Sequence, residues 1–469
     1  MNKNDSERIV GLLLSLGMSH VVKAEEADLI IVNTCSVRQT AEERVTGFFH
    51  NWKELKKKNP LLIIAITGCM PGRDKDGKIK KKYKDVDLWF GIDALPQLPK
   101  WLEGLGLDCH SERSPQGGVE ESIGDYLQII PRRDNHSSVF VSIQTGCNNF
   151  CTYCVVPSAR GRERNRPMKD VLTEIKNAVK NGAKEIILLG QVVNNYQITD
   201  KEIISTDNPF KDSFASLLWE INQIPGEFRV HFTAADPQYF SDEQIEALKL
   251  PKQVNYLHLP VQSGDNEILR KMNRKYTREQ YIEIVKKIRK AKPDIALGTD
   301  IIVGFCGETG DQFQNTFDLY KQCDFDISFH AMYSERSGTA AAKAFKDDVS
   351  HAEKKRRWDI LQEYMEKRTL EKNQKYVGKT LRVLVDRREA LSFVIPTEVE
   401  GSLKQSRRDS SAPPPAGGSA RNDNMSVCFG SSDELKLAQF LGTPEMVGTF
   451  QKIKITQALA WVMRGTLEG

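Results

Sequence analysis

GCNNFCTYC (Gly146–Cys154) sets Cys147, Cys151 and Cys154 at the spacing C-x3-C-x2-C. It continues VFVSIQTGC (Val139–Cys147), a compact apolar run that reads as a buried strand feeding a loop. Three thiolates on one short loop can hold three irons of a [4Fe–4S] cluster and leave the fourth open to a small molecule. Zinc more often takes four ligands in two separated pairs. No fourth ligand lies near in sequence, so zinc is the weaker reading.

Downstream, apolar runs recur at EIILLG (Glu185–Gly190), FRVHFTA (Phe228–Ala234), YLHLPV (Tyr256–Val261), ALGTDIIVGF (Ala296–Phe305) and DISFHAMYS (Asp326–Ser334). Helical patterns such as Met168–Asn181 and Arg278–Lys292 separate them. Repeated β–α units predict a full or partial (β/α) barrel, with its site at the C-terminal strand ends. Upstream, DLIIVNTC (Asp28–Cys35) and LLIIAITGC (Leu61–Cys69) flank a helical pattern over Thr40–Lys58, the signal of a doubly wound α/β domain. Cys35 and Cys69 each fall just past a predicted strand. Ser350–Gln374 reads as a charged helix. KTLRVLVD (Lys379–Asp386), MSVCF (Met425–Phe429) and GTFQKIKIT (Gly448–Thr456) predict a small β-barrel. The Ser-, Pro-, Gly- and Arg-rich stretch at about 390–423 reads as a disordered insertion in it.

With 469 residues, 39% hydrophobic and 28% charged, the chain has the composition of a multidomain globular protein. No apolar run reaches the ~18 residues that cross a bilayer, and Ile9–Leu16 lacks the flanks of a secretory signal. A cytoplasmic location, with no membrane partner, follows as the default. There the nine cysteines are not expected to form disulfides. A net charge of +4 permits a nucleic-acid partner without requiring one.

With Tyr153 before its last cysteine, the central motif resembles the radical-SAM signature. The resemblance extends to NTCSVR (Asn33–Arg38), GCM (Gly68–Met70), GCNNFCTYCVVPSARGRERNRP (Gly146–Pro167) and LLGQVVNNY (Leu188–Tyr196). It continues through LHLPVQSGDNEIL (Leu257–Leu269), MNRKYT (Met272–Thr277) and GTDIIVGF (Gly298–Phe305). Together these are similar to the radical-SAM methylthiotransferase family. That likeness implies an N-terminal methylthiotransferase domain (residues 1–118), a radical-SAM partial TIM-like barrel (135–370) and a C-terminal TRAM domain that grips RNA (376–465). It implies S-adenosylmethionine as cofactor, bound to the Cys147/Cys151/Cys154 cluster, and a second [4Fe–4S] cluster with Cys35 and Cys69 among its ligands.

NTCSVR and CNNFCTYCVVP resemble the branch of the family that methylthiolates C2 of N6-isopentenyl-adenosine next to the anticodon of tRNA. One S-adenosylmethionine would methylate a sulfur on the N-terminal cluster. A second would be cleaved to a radical that takes hydrogen from C2. Two alternatives are methylthiolation of threonylcarbamoyl-adenosine in tRNA and a non-catalytic RNA-binding protein. The second arises because the family's first N-terminal cysteine normally precedes the Met-Asn stretch at which this sequence starts, and because an insertion interrupts the TRAM domain. A start site called too late, with a first strand missing, is the expectation. Of the second cluster's three family ligands, this sequence carries two, Cys35 and Cys69.

Other residues are weighed individually. Gln191 and Asn195 follow a barrel strand, where they could meet the cofactor or cap the next helix. His258 and Gln262 flank the end of another strand. The resemblance places Tyr153, Gln262, Thr299 and Asp300 near the cofactor, and reads Cys306 as packing. Arg160, Arg162, Arg164 and Arg166 alternate after the cluster loop. In an extended segment they would share a face suited to phosphates, and Arg160, Arg162 and Arg166 are taken as substrate-binding. The tRNA anticodon stem-loop and an electron donor such as a flavodoxin are the expected partners of a monomeric protein.

Overall fold

β1 (Leu29–Thr34), β2 (Ile63–Gly68) and β3 (Leu88–Trp89) form a parallel sheet in the order β1-β2-β3. The computed structural model of the chain describes residues 1–36, 39–107, 124–133, 136–200, 203–389 and 425–468. The insertion expected at 390–423 lies outside the described residues, as do Val37, Arg38 and Cys109. The sequence IIAITG of β2 is buried along its whole length, as a strand covered on both faces requires. Ile63 and Ala65 face one cluster with Ile9 and Leu12 of helix Asn2–Ser15. Ile64 and Ile66 face another with Val45, Phe49 and Trp52 of helix Gln39–Lys58. The period of two thus sends successive apolar side chains to helices on opposite faces.

β4 (Ser138–Ser142) opens the barrel wall, and a separate antiparallel pair, β5 (Gln144–Thr145) and β6 (Arg164–Asn165), brackets residues 146–163; the wall continues with β7 (Glu185–Leu189), β8 (Arg229–Phe232), β9 (Tyr256–His258), β10 (Ala296–Val303) and β11 (Ile327–Met332). β4-β7-β8 and β9-β10-β11 are parallel sheets. A parallel bridge from Val230 to Gln253 follows β8 toward β9. The wall is therefore a partial barrel of parallel strands in chain order. Its crossover helices carry their own start signals. Thr277 with Gln280 and Thr309 with Gln312 form reciprocal capping boxes at helices Arg278–Ala291 and Gly310–Cys323. The sheet of β1–β3 and this barrel belong to one compact unit, Met1–Thr369.

The second unit, Leu370–Gly469, is a closed barrel with strand order β12-β13-β14-β16-β15. Its strands are β12 (Thr380–Glu389), β13 (Ser426–Ser432), β14 (Leu437–Gly442), β15 (Phe450–Ala458) and β16 (Met463–Leu467). Val383, Val385, Phe440, Ile453 and Ile455 fill its centre. Arg382 pairs in register with Lys452, and Thr380 with Lys454, so these cations share an outer face of the β12–β15 ladder. Among the described residues, no helix is long and apolar enough to cross a membrane.

Candidate cluster sites

The loop after β5 is built around Gly146 (φ +76°), where a Cβ would fall 2.0 Å from the carbonyl oxygen of Arg162. Only glycine fits there. Each of the three sulfurs downstream accepts one hydrogen bond. The Asn149 N–H donates to Cys147 (3.4 Å), the Val156 N–H to Cys154 (3.4 Å) and the Arg274 Nη1 to Cys151 (3.2 Å). The loop is clamped from the segment 271–273. Thr152 donates its N–H to the Met272 carbonyl (3.0 Å) and its hydroxyl to the Lys271 carbonyl (2.8 Å). The Asn273 amide donates to the carbonyls of Asn149 and Phe150. Tyr153 packs on Ile268, Met272, Phe305 and Cys306, so Cys306 is a packing residue.

Burial pushes the Cys147 thiol up to about 11 and Cys154 up to about 12. Free, both would stay protonated at neutral pH. Iron binding replaces those protons and relieves the cost of a buried thiolate. Among the described residues, no three His, Cys, Asp or Glu side chains converge on a single-ion position. In a cluster each thiolate holds a different iron. Three hydrogen-bonded sulfurs on one loop therefore fit a [4Fe–4S] group bound by Cys147, Cys151 and Cys154.

Cys35 and Cys69 lie one residue beyond Thr34 and Gly68, which are paired in register on β1 and β2. The strand ends are locked together. The Thr34 hydroxyl donates to the Thr67 carbonyl (2.7 Å) and accepts from the Met70 N–H (3.1 Å). Gly68 has φ +95°, and a Cβ on it would meet the Thr34 oxygen at 2.4 Å. Two thiols on neighbouring strand ends fit two ligand positions of a shared cluster.

The two cysteine sets are brought together by backbone contact. Cys69 opens helix Cys69–Arg73, and helix Val156–Arg160 follows Cys154 directly. A Cβ on Gly72 would fall 2.1 Å from the Ala159 carbonyl oxygen. Arg160 and Asp5 form a buried ion pair (2.5 Å) beside this contact. Burial alone would lower Arg160, but Asp5, Cys69 and Tyr126 hold it above its ordinary value. Arg73 is gripped by both Glu42 oxygens and donates to Ser337 at the barrel rim.

The arginine expectation is corrected. Arg160 ends a helix and Gly161 (φ +73°) turns the chain, so the four guanidiniums do not share a face. Arg160 is spent on Asp5. Arg166 is buried against Glu174 (2.7 Å) and the Ser142 carbonyl (2.7 Å). Arg164 pairs with Asp125 (2.8 Å). Arg162 is exposed. Substituting Arg160→Gln strands the Asp5 carboxylate in the interior and should cost about 3–5 kcal/mol. Arg162→Gln should stay within about 0.5 kcal/mol. Denaturant midpoints separate the two.

The Gln191 side-chain oxygen is buried and has no hydrogen-bond partner among the described residues. Asn195 donates to Glu163 Oε1 (2.8 Å), while Glu163 Oε2 is buried and unpartnered. Burial raises the Glu163 carboxyl. These orphaned acceptors beside the Cys147 loop suit a donor-bearing ligand. Gln262 has φ +70° and is bridged to β10, with its N–H on the Asp300 carbonyl and its own carbonyl accepting from Ile302. Asp300 stands on the partly open barrel face and pairs with His258 (3.2 Å). Thr299 is fully buried, its hydroxyl bonded to Leu259 and Val261, so its role is to join β10 to the segment after β9. Sequence reasoning missed Arg274, Asp236 and Glu163. Their partners are distant in sequence, and only the family-like stretches MNRKYT and RGRERNRP marked Arg274 and Glu163.

A cysteine loop at the mouth of a partial parallel barrel, with three hydrogen-bonded thiols and unpartnered acceptors beside it, defines a radical-SAM iron–sulfur protein. In agreement, the Radical SAM superfamily model matches residues 141–320, and the model described as Uncharacterized protein family UPF0004 matches 1–91. The chain is 38% identical over 471 residues to tRNA-2-methylthio-N(6)-dimethylallyladenosine synthase of Thermoanaerobacter sp. (strain X514), covering 100% of this chain and 90% of that protein. It is 39% identical over 467 residues to the synthase of the same name from Clostridium botulinum (strain Langeland / NCTC 10281 / Type F), covering 99% and 94%. Among solved structures it is similar to the radical S-adenosylmethionine methyltransferase TsrM from Kitasatospora setae, at 15% identity and TM-score 0.47, over 69% of this chain and 64% of that one. The chain belongs to the family of tRNA-2-methylthio-N(6)-dimethylallyladenosine synthases.

Proposed function

We propose that this protein transfers a methylthio group to C2 of N6-isopentenyl-adenosine beside the anticodon of tRNA, in the cytoplasm, as a monomer fed by a flavodoxin-type electron donor. The observation that carries the reading is the backbone contact of Gly72 with Ala159, which sets the Cys35/Cys69 strand ends against the Cys147/Cys151/Cys154 loop. When bound, the clusters and S-adenosylmethionine supply the radical that activates C2 and the sulfur that replaces its hydrogen.

The chain's residues do the rest. Cys147, Cys151 and Cys154 hold the radical-SAM cluster, and Cys35 and Cys69 hold the sulfur-bearing one. Gln191, Asn195, Glu163 and Gln262 offer polar groups to the cofactor, and Tyr153 props the loop from below. Asp300 and His258 line the barrel face a flipped base would enter. Arg162 would hold a phosphate of the anticodon arm, and in the second unit the exposed Lys452 and Lys454 would hold RNA phosphates.

A Cys35→Ala variant tests this division of labour. Methylthiolation of isopentenylated tRNA should fall at least ~100-fold, while 5′-deoxyadenosine production persists. Unchanged methylthiolation would sink the proposal. Activity on threonylcarbamoylated tRNA instead would reassign the substrate, and absence of 5′-deoxyadenosine in the parent protein would leave an RNA-binding protein.

A further inference from the structure

We infer that Arg274 sets the reduction equilibrium of the radical-SAM cluster through its hydrogen bond to Cys151, with Asp236 as the opposing control; this rests on the cluster reading above. Arg274 spreads its donors over three partners. Its Nη1 reaches the Cys151 sulfur (3.2 Å), its Nη2 reaches Asp236 Oδ2 (2.9 Å) and its Nε reaches the Tyr276 hydroxyl (3.1 Å). Tyr276 in turn donates to the Val261 carbonyl (2.7 Å), and Asp236 Oδ2 also accepts from Asn149 of the cluster loop (2.7 Å). The guanidinium is thus fixed by the segments after β8 and β9 and aimed at one of the three sulfurs.

Both charges are shielded from solvent. The side chains of Arg274 and Asp236 are 8% and 6% exposed, so water screens them little. Guanidinium keeps its proton in proteins, so the donor is permanently cationic. A charge-assisted hydrogen bond draws electron density from the thiolate. It favours the reduced cluster, which carries one more negative charge. The step concerned takes up one electron from a low-potential flavoprotein and makes or breaks no bond. Asp236 offsets part of the guanidinium charge and so works in the opposite direction.

The test is a redox titration of the reconstituted full chain, reduced with dithionite and followed by electron paramagnetic resonance. The relevant signal is the one that changes when S-adenosylmethionine is added. If the parent chain shows none, the cluster reading fails and Arg274 has no object. In Arg274→Gln, with iron content kept, the equilibrium should shift about tenfold toward the oxidised cluster, or ~59 mV for one electron. In Asp236→Asn it should shift the other way. Opposite signs separate charge control from a loosened loop, which would move both variants alike. An unmoved or raised midpoint in Arg274→Gln overturns the inference, as does an unmoved or lowered one in Asp236→Asn. If Arg274→Gln takes up no iron, the sign in Asp236→Asn decides alone.

Discussion

Cys154→Ala should abolish 5′-deoxyadenosine production and methylthiolation together, each by at least ~100-fold, and remove about four irons per chain. The sulfur of Cys154 is half-buried just before helix Val156–Arg160, where the Val156 N–H holds it. Alanine leaves that donor unpaired and leaves two thiols on the loop. With a second iron exposed, the cluster becomes labile, and no other cysteine among the described residues is placed to substitute. Cys306 lies under Tyr153 in an apolar cluster and Cys323 is buried in the barrel core. Iron analysis after anaerobic reconstitution, with chromatography of the nucleoside products, checks the outcome. Full iron content in the variant would mean another residue ligates.

Gly72→Val should separate the two activities that Cys154→Ala removes together. A side chain at Gly72 meets the Ala159 carbonyl oxygen at 2.1 Å, and that atom belongs to a helix backbone that cannot rotate away. The helices must part by roughly 1 Å, a misplacement that can cost ~100-fold where two groups must meet at a reacting atom. Each cysteine set keeps its own loop, so 5′-deoxyadenosine should still form while methylthiolation falls by about that factor. Gly47→Ala is the control, because nothing lies within 4 Å of a Cβ there. The ratio of the two products in parent, Gly72→Val and Gly47→Ala reads the effect. An unchanged ratio would mean that the contact does not set the transfer distance.

The parallel strands were legible because buried strands write continuous apolar runs, as at IIAITG and EIILL. Their ends carried the cysteines, so both cysteine sets could be located. Strands β14 and β16 went unread because LAQFLG and MRGTL are short and half-exposed in alternation. The arginines were misread for a physical reason. Alternation implies one face only in extended chain, and Val156–Arg160 is helical. Its carboxylate partner Asp5 is 155 residues distant. Arg274 was invisible as a cluster contact because Cys151 lies 123 residues before it.

Helix Asn2–Ser15 also has to wait for its partners. Asn4 donates to the Phe140 carbonyl, Arg8 reaches the carbonyls of Leu127 and Ile129 and the Glu174 carboxylate, and Asp5 needs Arg160. Residues made early are thus completed by residues made more than a hundred positions later. At ~5–20 residues per second on the ribosome, this interval is on the order of ten seconds. During it Ile9 and Leu12 still lack Tyr126, Leu127 and Ile129 of their cluster, and Asp5 and Arg8 lack their distant partners. Nascent chains stalled between residues 110 and 160 should therefore be better substrates for chaperones and proteases than chains released after Glu174.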